Sequence, residues 1–336
     1  MNISLGFVPL ADCAPLVVAR QKGYFAREGL DVDLRKIQAW PMLLQRLQDG
    51  TVDGAHMLAT LPVLAAAGAS GIEAPLCTAW TLSSCGNAIT LSNRLCRDGI
   101  ADGSDLRAWL DAHPEVVIRL GIVLSRSIQE LTIREWLQRG GLQIGERIEL
   151  VECPPQEMAR RLREGLIDGF CSGEPWNQRA TSSKLGGIVA LGDTLLPDIP
   201  EKVLAVRTSW HRREPAAHAA ILRALDGASV WLSDPGNLEE ASRMLADKYF
   251  VNTQEPLLRS ALARRLQAGW KREMHSEGFL RFTGMNAPSQ AGFRDILERL
   301  VWWGHLPSTA LDADLAQVCL EDFHEQAFRV GTSVAA

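Results

Sequence analysis

A nine-residue pattern occurs twice in this chain and limits its architecture more than any other feature. Arg46-Leu47-Gln48-Asp49-Gly50-Thr51-Val52-Asp53-Gly54 recurs 115 residues on (46 to 161) as Arg161-Leu162-Arg163-Glu164-Gly165-Leu166-Ile167-Asp168-Gly169. Each copy closes an amphipathic helix with an acid-glycine pair, spaces two residues, and enters a short apolar run through a second acid-glycine pair. That is a helix stop, a turn and a buried strand. Solenoid repeats recur roughly every 20 to 50 residues, so this longer period points instead to two similar α/β lobes. Two lobes imply a cleft, where a ligand would sit. The acids of the pattern are expected to be structural.

At 336 residues the chain exceeds a typical single core, in keeping with two lobes. A composition of 46% hydrophobic and 22% charged residues is globular, and a net charge of -5 argues against direct nucleic-acid binding, which leaves a basic footprint. No run approaches the roughly 18 apolar residues of a membrane helix. Met1-Asn2 leads straight into Ile3 to Val8, which has the alternation of a first strand and none of the parts of a secretory signal. The expectation is a cytoplasmic protein, the alternative being a leader removed. Cys13, Cys77, Cys85, Cys96, Cys153, Cys171 and Cys319 are odd in number, scattered and without a CxxC pair, which suggests reduced, packed thiols.

Periodicity predicts strands at 3–8, 32–37, 55–58, 77–80 and 87–92, with helices over 14–22, 41–48 and 61–67 between them. Strands at 116–123, 148–151, 166–171 and 187–191 and helices over 127–138 and 155–163 follow, then a strand at 203–207. Helices are expected over 214–232, 238–248, 255–268 and 288–303, with a final one near 309–329. This alternation indicates βαβ units, mainly parallel sheets and a helical C-terminal region.

Common enzyme signatures are absent: there is no HExxH, GxSxG, P-loop or GxGxxG, and the seven histidines are unclustered. No catalytic residue, cofactor or metal site is expected. What remains is a set of small and aromatic residues at strand ends, where open α/β sheets bind ligands: Trp40, the segment Ser83 to Asn87, and Gly173-Glu174-Pro175-Trp176-Asn177. For each alone, a turn with packed side chains is an equally simple reading. Lys202, at a predicted lobe crossing, is either a solvated charge or the cation for a small anion. The pair Trp302-Trp303 reads as core packing, with a partner surface the minority reading.

The stretch Leu5-Gly6-Phe7-Val8-Pro9-Leu10-Ala11-Asp12-Cys13-Ala14-Pro15-Leu16, with Lys22-Gly23-Tyr24-Phe25 and Glu28-Gly29-Leu30, resembles the opening of the nitrate- and bicarbonate-binding proteins of ABC importers. The likeness continues through Gly86-Asn87, Ile133-Arg134-Glu135-Trp136-Leu137, Gly173-Glu174-Pro175-Trp176 and Pro200-Glu201-Lys202 to Val301-Trp302-Trp303-Gly304, nearly the whole chain. The resemblance implies a type II periplasmic-binding-protein fold: lobe I from 1–86 and 200–336, lobe II from 87–199, and two crossing strands between them. It also implies a planar-anion site. Positions equivalent to Trp40, Gly173 and Lys202 are kept, whereas Cys85 stands where nitrate-binding members have a glutamine and Ile122 where they have a histidine. Ser84, Ser125 or Gln129 could compensate. The expected ligand-facing set is therefore Trp40, Ser84, Cys85, Gly86, Ser125, Gln129, Gly173, Glu174 and Lys202. The bicarbonate-binding branch uses calcium, but no acidic cluster compels one here.

Beginning at its first strand, the chain is more similar to the cytoplasmic NasS type of nitrate/nitrite sensor than to an exported importer component. That type holds an RNA-binding antiterminator of the NasT type and releases it when nitrate or nitrite binds, so this antiterminator is the implied partner. The alternatives are a substrate-binding component of a nitrate or bicarbonate importer, a sulfonate, taurine or cyanate binder, and the related thiamine-pyrimidine synthesis fold. The last needs a histidine- and cysteine-rich strip that is not found.

Overall fold

The computed structural model describes residues 1–145 and 147–329. The chain divides into two compact units, the first comprising Met1–Ser84, Ile199–Asn252 and the segment from Arg281 on, the second Cys85–Asp198 and Thr253–Leu280. Position 146 and the last seven positions of the expected lobe I segment, 330–336, lie outside the described residues.

The first unit holds a five-stranded sheet of β1 (Asn2–Phe7), β2 (Asp31–Lys36), β3 (Gly54–Leu58), β4 (Leu76–Ser84) and β10 (Pro200–Arg207), in the order β2-β1-β3-β10-β4. The second holds β5 (Asn87–Ser92), β6 (Ile118–Ile122), β7 (Ile148–Glu152), β8 (Gly169–Gly173) and β9 (Gly186–Leu191), in the order β7-β6-β8-β5-β9. The two orders are the same pattern. In each, the first three strands are parallel, while the fourth, β10 or β5, runs against both neighbours. The sheets are therefore mixed rather than mainly parallel. The reversed strand is in each case the first one laid down after the chain enters that unit from the other.

The repeated pattern builds equivalent junctions. Gly50 and Gly165 take φ of 84° and 70° at the two helix stops, a region open to glycine without Cβ strain. Asp53 then clamps the neighbouring strand: its Oδ2 accepts from the Ser4 amide at 2.9 Å and its own amide donates to the Ser4 carbonyl at 2.8 Å. Asp168 repeats this on Arg119, at 2.9 and 2.7 Å. Behind both aspartates, Gly54 and Gly169 leave no room for a side chain. An added Cβ would lie 2.9 Å from Leu5 Cδ2 or 2.7 Å from Leu91 Cδ2.

Further expectations require correction. The helix predicted over 255–268 stops at Leu262; Arg264 adopts a φ of 57° and the chain becomes a hairpin of β11 (Arg265–Gly269) and β12 (Arg272–His275). Leu258, Leu262 and Leu266 happen to be spaced as on a helix, but Leu266 and Ala268 are the buried alternates of a strand. Trp270 and Lys271, both at positive φ, form the two-residue turn of the hairpin. Trp270 lies against Gly187 of β9, where a Cβ would stand 2.4 Å from its ring. This contact belongs to the second unit, so 253–280 leaves the expected lobe I segment and the chain passes between units four times instead of two.

The final helix is shorter than 309–329: 3-10 turns at Ser308–Asp312 and Leu315–Gln317 precede Glu321–Arg329. Asp314 caps the second turn through the Ala316 amide, a local bond that competes with helix. Trp302 is 72% exposed, which overturns its reading as core packing. A helix at Gly103–Ala112, absent from the periodicity reading, is started by a capping box between Asp102 and Asp105. Among the described residues no helix is long and apolar enough to cross a membrane.

Candidate functional site

Strand direction decides which residues meet. In the first unit β1 to β4 share one sense and β10 opposes them, so the starts of loops after β1, β2, β3 and β4 gather at the edge where β10 begins. Asp12 follows β1, Trp40 follows β2 as the first residue of the helix Trp40–Gln48, Thr60 follows β3, and Ser83 and Ser84 end β4. Glu201 and Lys202 open β10, with Lys202 in register with Leu58 of β3 and Ser83 of β4.

These residues form a buried charged cluster. Lys202 is fully buried, and its Nζ contacts Asp12 Oδ2 at 3.0 Å and Glu201 Oε1. His56, in the middle of β3, places Nε2 2.9 Å from Asp12 Oδ1. The Trp40 ring lies 5.4 Å from the His56 ring and 5.7 Å from the Lys202 ammonium. Burial disfavours every charge here, yet the pairing outweighs it at two positions: Lys202 is held above its ordinary pKa by Asp12 and Glu201, and Asp12 below its own by Lys202 and His56. For His56 burial prevails over the attraction of Asp12 and lowers its pKa.

The same edge of the sheet carries donors with nothing to donate to. Trp40 Nε1 and the hydroxyls of Thr60, Ser83 and Ser84 are buried without a hydrogen-bond partner among the described residues. An ammonium has three N–H groups, and two carboxylates account for two. Buried polar atoms are ordinarily paired, so a cluster of spare donors beside a cation has the chemistry of an anion site.

The corresponding edge of the second unit carries the other predicted residues. Gly173 ends β8 in register with Asn87, the first residue of β5, and Gln129 Nε2 donates to Asn87 Oδ1 at 2.8 Å. Glu174 follows Gly173, fully buried, its Oε2 accepting from the Gln178 amide at 3.1 Å; burial lifts its carboxyl to about 8, so it is largely neutral near neutral pH. Gly86 is buried beside them. Two predicted residues are engaged elsewhere. Cys85, at a φ of 57°, directs its thiol to the Leu196 carbonyl at 3.5 Å, which makes it a turn residue. Ser125 is held by Glu152 through its amide at 2.6 Å and by Glu130 through its hydroxyl at 3.4 Å. Ile122, where a histidine was expected from the family pattern, is a buried apolar strand end.

Asp12, His56 and Glu201 belong to the charged cluster and are missing from the sequence-derived readings, whereas Ser83 and Asn87 bound the strand-end segment singled out from the sequence. One signal was available for Glu201 and Asp12: a lysine inside an apolar strand requires buried counter-charges, and an acid adjoins it. Among the described residues no group of three or more His, Cys, Asp or Glu is arranged to hold a metal ion.

Two mixed sheets of this order, each with its reversed fourth strand and its loops at the carboxyl edge, define a periplasmic-binding-protein fold. The chain belongs to the NMT1-like family, whose model matches residues 1–246. It is 36% identical over 313 residues to the nitrate import ATP-binding protein NrtC of Synechocystis sp. PCC 6803, covering 91% of this chain but only 46% of that protein. It is 32% identical over 342 residues to the nitrate/nitrite binding protein NrtA of Synechococcus elongatus PCC 7942, covering 97% of this chain and 77% of NrtA. The crystal structure of the periplasmic nitrate-binding protein NrtA from Synechocystis PCC 6803 matches in fold with a TM-score of 0.92 at 24% identity, over 99% of this chain and 89% of that one.

Proposed function

We propose that this chain binds a small planar oxyanion, nitrate or nitrite first among them, in the manner of the substrate-binding proteins it is similar to. The observation that carries the reading is the fully buried Lys202 ammonium at a sheet edge that also carries the spare donors of Trp40, Thr60, Ser83 and Ser84. The cation meets the ligand's charge and the neutral donors meet its oxygens. Among anions, a compact one with several acceptor oxygens suits that set.

The test is thermal unfolding and calorimetry with nitrate, nitrite, bicarbonate and a sulfonate. Nitrate or nitrite is expected to raise the melting temperature. Trp40→Phe removes the N–H while keeping an aromatic ring and should weaken binding by about tenfold or more, the worth of a hydrogen bond to a charged group. A shift with the sulfonate alone, or undiminished binding in Trp40→Phe, contradicts the assignment.

A regulatory form of the same reading places the protein in the cytoplasm with an RNA-binding antiterminator as its partner. It is supported by the seven free cysteines, six of them buried, which suit a reducing compartment. Mixing the chain with such an antiterminator and following the complex by size exclusion tests it. The complex should form without nitrate and dissociate with it, since linkage makes partner and anion weaken one another. The rival form is an importer's substrate-binding component, which would form no such complex.

A further inference from the structure

We propose that the second unit carries a docking groove for an acidic segment of a partner protein, which seats an apolar side chain against Trp270 and sets its carboxylates on Arg97, Lys184 and Lys271. The proposal does not depend on the anion reading above. The groove, of about 570 Å³, lies wholly within that unit. Arg97 comes from the end of the helix Asn93–Arg97, Lys184 from the turn after the helix Trp176–Ser182, Pro256 and Leu257 from the helix Glu255–Leu262, and Trp270 and Lys271 from the hairpin turn. Its lining includes no aspartate or glutamate. Among the described residues none of the three cationic side chains makes an ion pair or a hydrogen bond. The acids next to the groove are engaged elsewhere: Asp98 accepts from Trp109 Nε1 at 3.0 Å, Glu255 pairs with Arg259 at 2.7 Å, and Glu273 with Arg265 at 3.4 Å. In a chain of net charge -5 this is an uncompensated basic rim, complementary to an acidic partner.

Trp270 is displayed against conformational preference. A two-residue hairpin turn with both residues at positive φ is ordinarily asparagine-glycine, and here φ of 48° and 62° fall on Trp270 and Lys271. A bulky residue in that region is an outlier, and such outliers mark places where the side chain is used. The Trp270 ring rests against Gly187, yet the residue stays 55% exposed, with buried Leu257 lining the same groove. The polar side chains of the groove already have partners. Gln178 bonds the Gln267 backbone and Ser260, Asn93 bonds the Lys184 carbonyl, and Thr181 and Ser182 bond carbonyls of their own helix. Little directional bonding is therefore left to read the edge of a base or the hydroxyls of a sugar. Charge and apolar contact must carry recognition, which suits an acidic peptide with an apolar anchor.

The test is calorimetric titration of the full chain with a synthetic peptide in which glutamates flank a leucine-phenylalanine pair, beside the same peptide with lysines for the glutamates and beside ATP. The acidic peptide should bind, more weakly as salt rises, and the lysine peptide should not. Trp270→Gly removes the ring while suiting the positive φ, so the hairpin is kept; Lys184→Glu with Lys271→Glu reverses two charges of the rim. Each variant should weaken binding of the acidic peptide by about tenfold or more with far-UV circular dichroism unchanged. ATP bound at these residues in place of the peptide makes the ligand a nucleotide and overturns the proposal. Self-association seen by sedimentation and abolished by Trp270→Gly, without peptide binding, makes the occupant a second copy and overturns it likewise. Equal binding of both peptides, undiminished binding in either variant, or no binding at all overturns the groove as a docking site.

Discussion

Glu174 gives a prediction whose size follows from its surroundings. The carboxyl is fully buried after β8, and burial moves its pKa from the ordinary 4.5 to about 8, against the opposing pull of the Gln178 amide and Asn177. Between these two values it is neutral when folded and ionised when unfolded. The unfolded state then binds fewer protons, so stability falls as pH rises through the window and is level on either side. Each pH unit is worth about 1.4 kcal/mol, so by about pH 7 the loss is roughly 3 kcal/mol, approaching about 5 above pH 8. That is a large share of the roughly 5–15 kcal/mol typical of a folded domain. Glu174→Gln keeps the shape and an acceptor for Gln178 but cannot ionise. The assay is urea unfolding of both proteins at about pH 5 and pH 8, followed by tryptophan fluorescence, with the difference between them cancelling all other titrations. The variant should gain little at the lower pH and several kcal/mol at the higher one. An advantage that is the same at both pH values refutes the argument.

The paired aspartates and a close helix contact yield two further tests. Asp53→Ala should cost about 1.5–3 kcal/mol in urea unfolding, because the partly buried Ser4 amide loses a charged acceptor; Asp168→Ala should cost less, since the Arg119 amide is exposed and water can replace the carboxylate. Its ion pair with half-exposed Arg94 adds little. Gly140→Ala should lower stability by about 1–3 kcal/mol or more, because the new Cβ would lie 2.1 Å from the Gly103 carbonyl carbon, where backbone and not a side-chain tip would have to move. Thermal melts of Gly140→Ala beside Gly304→Ala, whose added Cβ meets nothing within 4 Å but whose φ of 74° disfavours alanine, separate the clash from simple backbone strain.

Much of the frame could be read along the chain because it is local. The strands β1, β2, β3, β5, β6, β7 and β9 follow runs of apolar alternation, and Pro41 and Ser127 sit at helix starts where a preset φ and a side-chain cap favour them. Trp40 stands out by its place at a strand end and Lys202 by its place at a predicted crossing, and the family likeness then gives both a ligand-facing role. What escaped was non-local. Asp12, His56 and Lys202 are brought together by strand order across some 190 residues (12 to 202), and no short window contains that order. The hairpin of β11 and β12 was hidden because leucines four apart satisfy a helix as well as two faces of a bend. Complete burial of Lys202 is likewise a property of the layers laid over β10, not of its neighbours in sequence.

The two sheets, alike in order and sense, have been given different chemistry at matched positions. Lys202 pairs with Leu58, the last residue of β3, and Asn87 pairs with Gly173, the last residue of β8. At the equivalent place one unit therefore has a cation and the other a neutral amide. His56, third in β3, is matched by Cys171, third in β8, and the residue after the strand is Ala59 in one and Glu174, kept neutral by burial, in the other. Duplicated backbone thus supplies two similar ledges, while two of the three matched positions place ionisable groups on the first and the third places a carboxyl, kept neutral by burial, on the second. A mutation that neutralises Lys202 removes the positive charge of that ledge with no counterpart on β5 to replace it. Loss of a neutral donor such as Trp40 Nε1 leaves the charge in place and removes only one contact. The asymmetry predicts that substitutions at Lys202 act on whether an anion binds and those at the spare donors act on which one.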